Sequence, residues 1–567
     1  MPPTVSDTAP SAAPPAASPT VLARPVRYPS DGGALLEHLT RAGQLRTTRN
    51  PTDDNAAVRP VDCVLLESAD ITTKASRTTV AILEASARLT CWGGTVTAEA
   101  LDAVDGQGPG ADGLAALARL EESLAEHVTD RSPGRLTLTL PTSADDDPTL
   151  EERERLTALS TIEPLRVLAQ AEVDHLHLPL EAGAFAFDYL STFESLPEVA
   201  QGANTCPDYL FYDARIILVV DHPTREATLV GASVDTADLE RRMDALAAAI
   251  DSIDNVADVE APASSTDGAA SPVLHAVPTT SDVDFEAVVE EMRGYIADGD
   301  VYQVVPSRGF TIACPDALAA YHVLRHANPS PYMFYLAAPD FELFGASPES
   351  ALLHSARTGR VAIRPIAGTR PRGLHPDGSV DHERDTRLEL ELRTDAKEVA
   401  EHVMLVDLAR NDVARVSRPG TRSVQDLLRV DRYSRVMHLV SEVSGELADD
   451  LDALDAFRAS MTMGTLTGAP KLRAAELIRQ AEGVRRGSYG GSVGYIRGDG
   501  ELDTCIVIRS GFVTDGSALV QAGAGVVAAS SPAAEVAETV HKARAVLEAV
   551  AAAQGAALII DTTGKEA

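Results

Sequence analysis

Four glutamates in two identically spaced pairs are the first residues with the makings of chemistry. Glu398 and Glu401 lie in the run 395–409 (DAKEVAEHVMLVDLA), and Glu535 and Glu538 follow Ser531 and Pro532. Carboxylates brought together from two helices can hold Mg²⁺, which takes hard oxygen donors, keeps several waters and accepts a substrate carboxylate. Ordinary explanations compete. Asp395 with Glu398 three residues later reads as a capping box, and Glu535 and Glu538 fall where acidic side chains complement a helix dipole. Glu401 is harder to explain that way. Val399, Ala400, Val403, Met404, Leu405, Val406 and Leu408 make its helix apolar nearly all round. Such a helix reads as buried, and a buried carboxylate needs a cation or a proton.

Other single residues could serve a reaction or a plain structural purpose. Gly523, Ala524 and Gly525 follow an apolar strand, where a glycine-rich turn can bring backbone N–H groups to an anion or simply reverse the chain. Arg509 closes the apolar run 505–508 and could grip a carboxylate with two parallel bonds, or sit as a strand-end surface charge. His438 is flanked by Val436, Met437, Leu439 and Val440, as befits either a core histidine or a base. Glu349 follows a turn signal, where a carboxyl is solvated or acts as a general acid. The run 464–471 (GTLTGAPK) superficially suggests a phosphate loop. It lacks the Gly-Lys-Ser/Thr ending, and Pro470 removes an N–H donor, so a nucleotide-binding reading fails.

The elements that must position these residues read as α+β. Helices are expected at 239–250, 284–298, 395–416, 470–482 and 532–553, and strands at 61–66, 227–234, 505–508 and 518–521. They do not alternate as a doubly wound fold requires. Residues 1–30 are expected to form a disordered tail, 31–254 an N-terminal domain, 255–280 a linker or surface loop, 281–553 the catalytic domain and 554–567 a second tail. A formal charge of −35 over 567 residues argues against nucleic-acid or membrane partners and requires a local site to overcome the global field for any anionic substrate. No secretory or membrane-spanning segment is evident, and five widely spaced cysteines without a C-x-x-C fit a reducing cytoplasm.

Many long motifs, in order, resemble the anthranilate synthase component I family of chorismate-utilising enzymes. They are LLESADI (65–71), GDVYQVVPSRGF (299–310), NPSPYMFYL (328–336), FGASPES (344–350), RPIAGTRPRG (364–373), KEVAEHVMLVDLARND (397–412), VDRYSRVMHLVSEVSGEL (430–447), MGTLTGAPK (463–471), RRGSYGGSVGY (485–495), DTCIVIRS (503–510) and QAGAGVV (521–527). The resemblance implies a large α+β composite of packed antiparallel sheets with outer helices, in which the two sequence parts intertwine. It implies Glu401 and Glu538 as Mg²⁺ ligands, and Gly368, Thr369, Tyr489, Arg509, Gly523, Ala524 and Gly525 as chorismate-binding positions. Glu349 would protonate the departing 4-hydroxyl and His438 would assist proton loss at C2. Thr465 falls in a site motif without an assigned role. The metal would neutralise the ring carboxylate and make the ring a better electron sink.

Two positions distinguish the sister activities. Isochorismate and salicylate synthases carry a lysine where Gln303 stands, and aminodeoxychorismate synthases carry one where Ala367 stands. Neither amine is present, which leaves ammonia as the C2 nucleophile and anthranilate as product. No cysteine has a glutaminase context, so the resemblance implies a separate glutamine amidotransferase subunit, assembled with this chain as a heterotetramer. Ser68, with Pro331, Tyr332 and Met333, matches a tryptophan feedback site, with Cys505 at its border.

Overall fold

The long strand Ser76–Trp92 is the spine of the N-terminal half. It pairs along its length with Tyr209–Asp221, while its first part also borders Cys63–Ala69 and its last part Thr95–Ala100. Its inward positions run almost without interruption through Ala81, Ile82, Leu83, Ala85, Ala87, Leu89 and Cys91, all buried. A strand covered on both faces needs this kind of sequence. The computed structural model describes residues 19–49, 58–70, 75–102, 104, 108–142, 151–253, 272–375, 379–433 and 436–562.

The two sequence halves share one branched, largely antiparallel sheet. Cys63–Ala69 pairs with Tyr332–Ala337, placing Leu66 opposite Phe334, and Leu180–Phe185 pairs with Ser492–Arg497. In the C-terminal half, Ser307–Ala313 pairs with Ser517–Gly523, Ser350–Ser355 with Leu502–Ile506, and Ile366–Pro371 with Val436–Glu446. Helices Ala396–Val416 and Pro532–Ala553 pack beside these strands. The fold is α+β, as read from the sequence.

Helix positions agree with the sequence reading to within a few residues: Thr236–Asp251, Asp282–Asp298, Ala396–Val416, Lys471–Glu482 and Pro532–Ala553. The expected boundaries are corrected at three places. Thr20–Pro25, inside the expected N-terminal tail, is a strand zipped onto Glu226–Ser233. Val273–Pro278, inside the expected linker, pairs in parallel with Ala557–Ile560, inside the expected C-terminal tail. These short segments carry a few β-branched and apolar residues within tail-like surroundings, and a sheet edge supplies their backbone partners. The rest of those stretches, 1–18, 254–271 and 563–567, lies outside the described residues.

Apolar packing joins the halves, and buried charge knits the N-terminal one. Phe185 stacks against Phe457 at 4.4 Å between ring centres and against Phe211 at 4.7 Å. Such offset aromatic pairs add to simple area burial. Glu84 is buried between Arg215 and Arg242, and Arg215 also pairs with Asp112 and Asp238. Every charge in that cluster has a partner, as burial demands. Among the described residues no helix is long and apolar enough to cross a membrane.

Candidate active site

One cavity of about 410 Å³ gathers nearly all the residues expected to serve catalysis, substrate or metal. Its lining includes Glu349, Gly368, Thr369, Glu401, His438, Thr465, Tyr489, Arg509, Gly523, Gly525 and Glu538, with Gln303 and Ala367. Ala524 is the exception. It is fully buried, and its N–H donates to the Pro306 carbonyl at 3.1 Å, so this backbone donor is already used.

Glu349 sits between strands Glu342–Ser347 and Ser350–Ser355. Its N–H donates to Ser347 Oγ at 3.3 Å, and its carbonyl accepts from Ile506 N at 3.0 Å. Burial pushes its carboxyl up to about 8, although the Thr465 hydroxyl, the Ile366 N–H and Lys542 all favour the charged form. At neutral pH it therefore holds a proton, as a general acid must. Thr465 Oγ1 is buried beside that carboxyl and makes no well-formed hydrogen bond among the described residues.

His438 lies directly across from Thr369 in the pairing of Val436–Glu446 with Ile366–Pro371. Its Nδ1 is 3.2 Å from the Gly368 carbonyl and 3.0 Å from Thr369 Oγ1. Gly368 has φ +74°, a left-handed conformation that aims its carbonyl at the ring, and a Cβ there would come within 3.1 Å of Glu398. Burial holds the imidazole down to about 4, so it is neutral. With Nδ1–H donated to the carbonyl, Nε2 carries the lone pair of a base.

The anion-binding side is built by backbone as much as by side chains. Arg509, at φ +51°, stands past the end of its strand and donates from Nη1 to the Lys542 carbonyl at 2.7 Å. Among the described residues it forms no ion pair, which leaves the rest of its guanidinium for a ligand. Burial pushes the Tyr489 phenol up to about 12, keeping it neutral and a donor. A Cβ at Gly523 would meet the Tyr489 hydroxyl at 3.0 Å, and one at Gly525 would meet Gln303 Nε2 at 2.8 Å. Those glycines are required by close approach.

Next to this backbone stand the four glutamates: helix Ala396–Val416 supplies Glu398 and Glu401, and helix Pro532–Ala553 supplies Glu535 and Glu538, all lining the same cavity. Two sequence readings change. Asp395 caps its helix by accepting from Lys397 N and Glu398 N, but Glu398 pairs with Arg370 at 2.8 Å instead of closing a capping box. The helix is also not buried all round. It buries His402, Leu405, Val406, Ala409 and Val413 on one face, while Val403 is 45% exposed. Glu401 lies at the edge of that face, and its Oε1 accepts from Gln303 Nε2 at 2.7 Å. Burial raises its carboxyl above the usual range. Partial desolvation would raise Glu538, whose side chain is 44% exposed, but Lys542 pairs with it at 2.7 Å and holds it below the usual range. Glu535 is buried, and its Oε2 has no partner among the described residues. An all-carboxylate donor set with an orphaned buried oxygen suits a hard divalent cation.

Lys542, whose Nζ also donates to the Gly523 carbonyl at 2.9 Å, escapes sequence reading because Glu538 and Lys542 look like an ordinary i,i+4 surface pair. Ser68 reaches the Tyr332 segment through strand pairing that puts Met333 opposite Glu67. Ser68 is only half-buried, and its Oγ bonds Thr78 Oγ1 at 2.8 Å. Tyr332 donates to Asp503 at 3.1 Å, Met333 and Cys505 are buried, and Pro331 is partly so.

A family model described as chorismate binding enzyme matches residues 131–548. The chain is 48% identical over 499 residues to anthranilate synthase component 1 of Vibrio parahaemolyticus, covering 87% of this chain and 88% of that one. It is 46% identical to the Escherichia coli protein of the same name, over 92% and 98% of the two chains. Among solved structures, anthranilate synthase component I from Streptococcus pneumoniae superposes with a TM-score of 0.62 at 28% identity, covering 83% of this chain and 92% of that one. The Escherichia coli menaquinone-specific isochorismate synthase MenF shares the fold, at a TM-score of 0.58 and 16% identity over 94% and 95% of the chains.

The His438 ring should stay neutral until the pH falls to about 4. Histidine-selective ¹⁵N spectra, with His438→Gln to assign the resonance, measure this. Titration near the unperturbed value of about 6.5 would contradict the geometry.

Proposed function

The chain belongs to the chorismate-binding enzyme family, and from that premise we propose that it converts chorismate and ammonia to anthranilate and pyruvate as the large subunit of an anthranilate synthase. The observation that carries this reading is the pair Gln303 and Ala367. Both line the cavity, and neither side chain can attack the ring or deprotonate water. With no amine at either of these positions, the nucleophile on this reading arrives from outside.

The residues divide the work. Arg509 and the Tyr489 hydroxyl bind a substrate carboxylate against the Gly523 and Gly525 backbone. Glu349, protonated, gives its proton to the 4-hydroxyl as ammonia adds at C2. The C–O bond breaks and water leaves, giving 2-amino-2-deoxyisochorismate and a Glu349 carboxylate. His438 Nε2 then takes the C2 proton while the enolpyruvyl C–O bond breaks, releasing pyruvate after tautomerisation and leaving the aromatic ring. Glu401 and Glu538 would hold Mg²⁺, whose charge would neutralise the ring carboxylate and draw electrons from the ring. Gln303 orients Glu401, which gives this glutamine a positioning role.

Ammonia would come from a separate glutamine amidotransferase subunit, since no cysteine here is placed as a nucleophile: all five are buried and free. The buried free thiols also support a reducing, cytoplasmic setting. Tryptophan would inhibit by binding at Ser68 and the Pro331, Tyr332 and Met333 segment. That strand lies beside the site, because Tyr332 pairs with Ser347, whose Oγ accepts from the Glu349 N–H.

Three experiments test these assignments. Purified chain with chorismate, Mg²⁺ and ammonium salt should form anthranilate and pyruvate, and none with glutamine until the small subunit is added; isochorismate as main product would refute the reaction. Glu401→Gln should lose Mg²⁺-dependent turnover by about 10²-fold or more with little change in thermal unfolding, whereas full turnover with an unaltered Mg²⁺ requirement would exclude Glu401 as an essential ligand. Ser68→Phe should abolish tryptophan inhibition and spare turnover in its absence. Unchanged sensitivity would mean the feedback site lies elsewhere.

A further inference from the structure

Away from the catalytic cavity, Asp31, His322 and His326 converge with their ligand-capable atoms all within 4.8 Å of one another. Asp31 caps helix Gly32–Arg41, its Oδ1 accepting from Ala34 N at 2.8 Å. The two histidines are four residues apart in helix Ala317–Ala327, so they share a face, and their ring centres lie 4.5 Å apart.

Hydrogen bonding fixes how His326 is presented. Its Nδ1 lies 2.8 Å from the His322 carbonyl. A carbonyl only accepts, so Nδ1 carries a proton and Nε2 is the atom turned toward Asp31. This backbone tether on the far nitrogen is the usual means of orienting a metal-binding imidazole.

The spacings then decide what fits between. His326 Nε2 is 3.5 Å from Asp31 Oδ2, and His322 Nδ1 is 3.6 Å from Asp31 Oδ1. Both are too long for good hydrogen bonds. Measured to the two oxygens of one carboxylate, they leave room for a cation held at about 2.0–2.1 Å from nitrogen and oxygen. In the neutral ring, the Nε2 lone pair faces a carboxylate oxygen, and either a proton on that nitrogen or a metal ion between the two satisfies both.

Local charge favours that cation. Arg325 bridges Asp31 and Glu67, at 2.7 and 2.8 Å, and Glu37 lies close enough to His322 to bear on its charge. Arg41 pairs with Glu37, so two guanidinium groups face three carboxylates and the neighbourhood keeps one net negative charge. The His326 side chain is 53% exposed, so the cluster opens to solvent and a fourth position is accessible to water. The buried cysteines offer no rival surface thiolate.

We propose that Asp31, His322 and His326 form a binding site for a divalent transition-metal ion of the zinc class, distinct from the carboxylate cavity. Two imidazole nitrogens and one carboxylate oxygen select borderline-soft ions over Mg²⁺.

The test uses the full chain, stripped with chelator and then held in excess Mg²⁺ so that the carboxylate cavity is satisfied. Zn²⁺ is titrated calorimetrically, and Co²⁺ is followed by its visible ligand-field absorption. One equivalent should bind, with an intense tetrahedral-type Co²⁺ spectrum. Affinity should drop at least about tenfold in His326→Ala and separately in His322→Gln. His326→Ala removes a half-exposed side chain, and thermal unfolding confirms that the variant is folded. The proposal is overturned if the parent chain binds no Zn²⁺ equivalent in Mg²⁺, or if both histidine variants bind as the parent does.

Discussion

Keeping water away from the Glu349 carboxyl is the constraint on which the rest of the site depends. In an acidic protein, a carboxyl beside Lys542 would ordinarily ionise, and an ionised Glu349 could neither protonate a leaving hydroxyl nor sit comfortably near a dianionic substrate. Desolvation outweighs the lysine and lifts the carboxyl to about 8. That burial comes from the sheet. The residue is placed at the joint between Glu342–Ser347 and Ser350–Ser355, with both its backbone groups tied to neighbours. The second half of the device is Lys542, drawn toward Glu538 and the Gly523 carbonyl on the opposite wall. Five glutamates line one cavity, and their environments drive them to different states.

The same sheet gives the proposed feedback site and the proposed catalytic acid a route to communicate. Cys63–Ala69 of the N-terminal half pairs with Tyr332–Ala337, which pairs with Glu342–Ser347, one residue short of Pro348 and Glu349. A ligand that displaced Tyr332 would act on Ser347, and through its Oγ on the acid's own N–H. Packed sheets tend to switch between arrangements and do not deform smoothly, so a small displacement there can be felt at the cavity.

Much of this is visible in the sequence, and what is not has physical reasons. Strong periodicity gives the catalytic helices closely, and the motifs mark Glu349, His438, Arg509 and Tyr489. The meeting of Glu398 and Glu401 with Glu535 and Glu538 is a tertiary fact that spacing along each helix does not contain. Lys542 hides in a pattern shared with many surface helices. The helix bearing Glu401 reads as wholly buried because apolar residues surround it in sequence, yet Val403 faces solvent. Ala524 sits inside a binding motif, but its N–H already serves Pro306. Strands Thr20–Pro25 and Ala557–Ile560 are too short to stand out from the tail-like sequence around them, and they are ordered by the edges they join.

The protonation state of Glu349 is the claim that carries the account, and infrared difference spectroscopy reads it directly. Spectra of the parent chain minus those of Glu349→Gln, taken at neutral pH, should contain the carbonyl stretch of one protonated carboxylic acid. That band should give way to carboxylate bands as the pH is raised through about 8. A difference spectrum showing only ionised carboxylate at neutral pH would contradict the account.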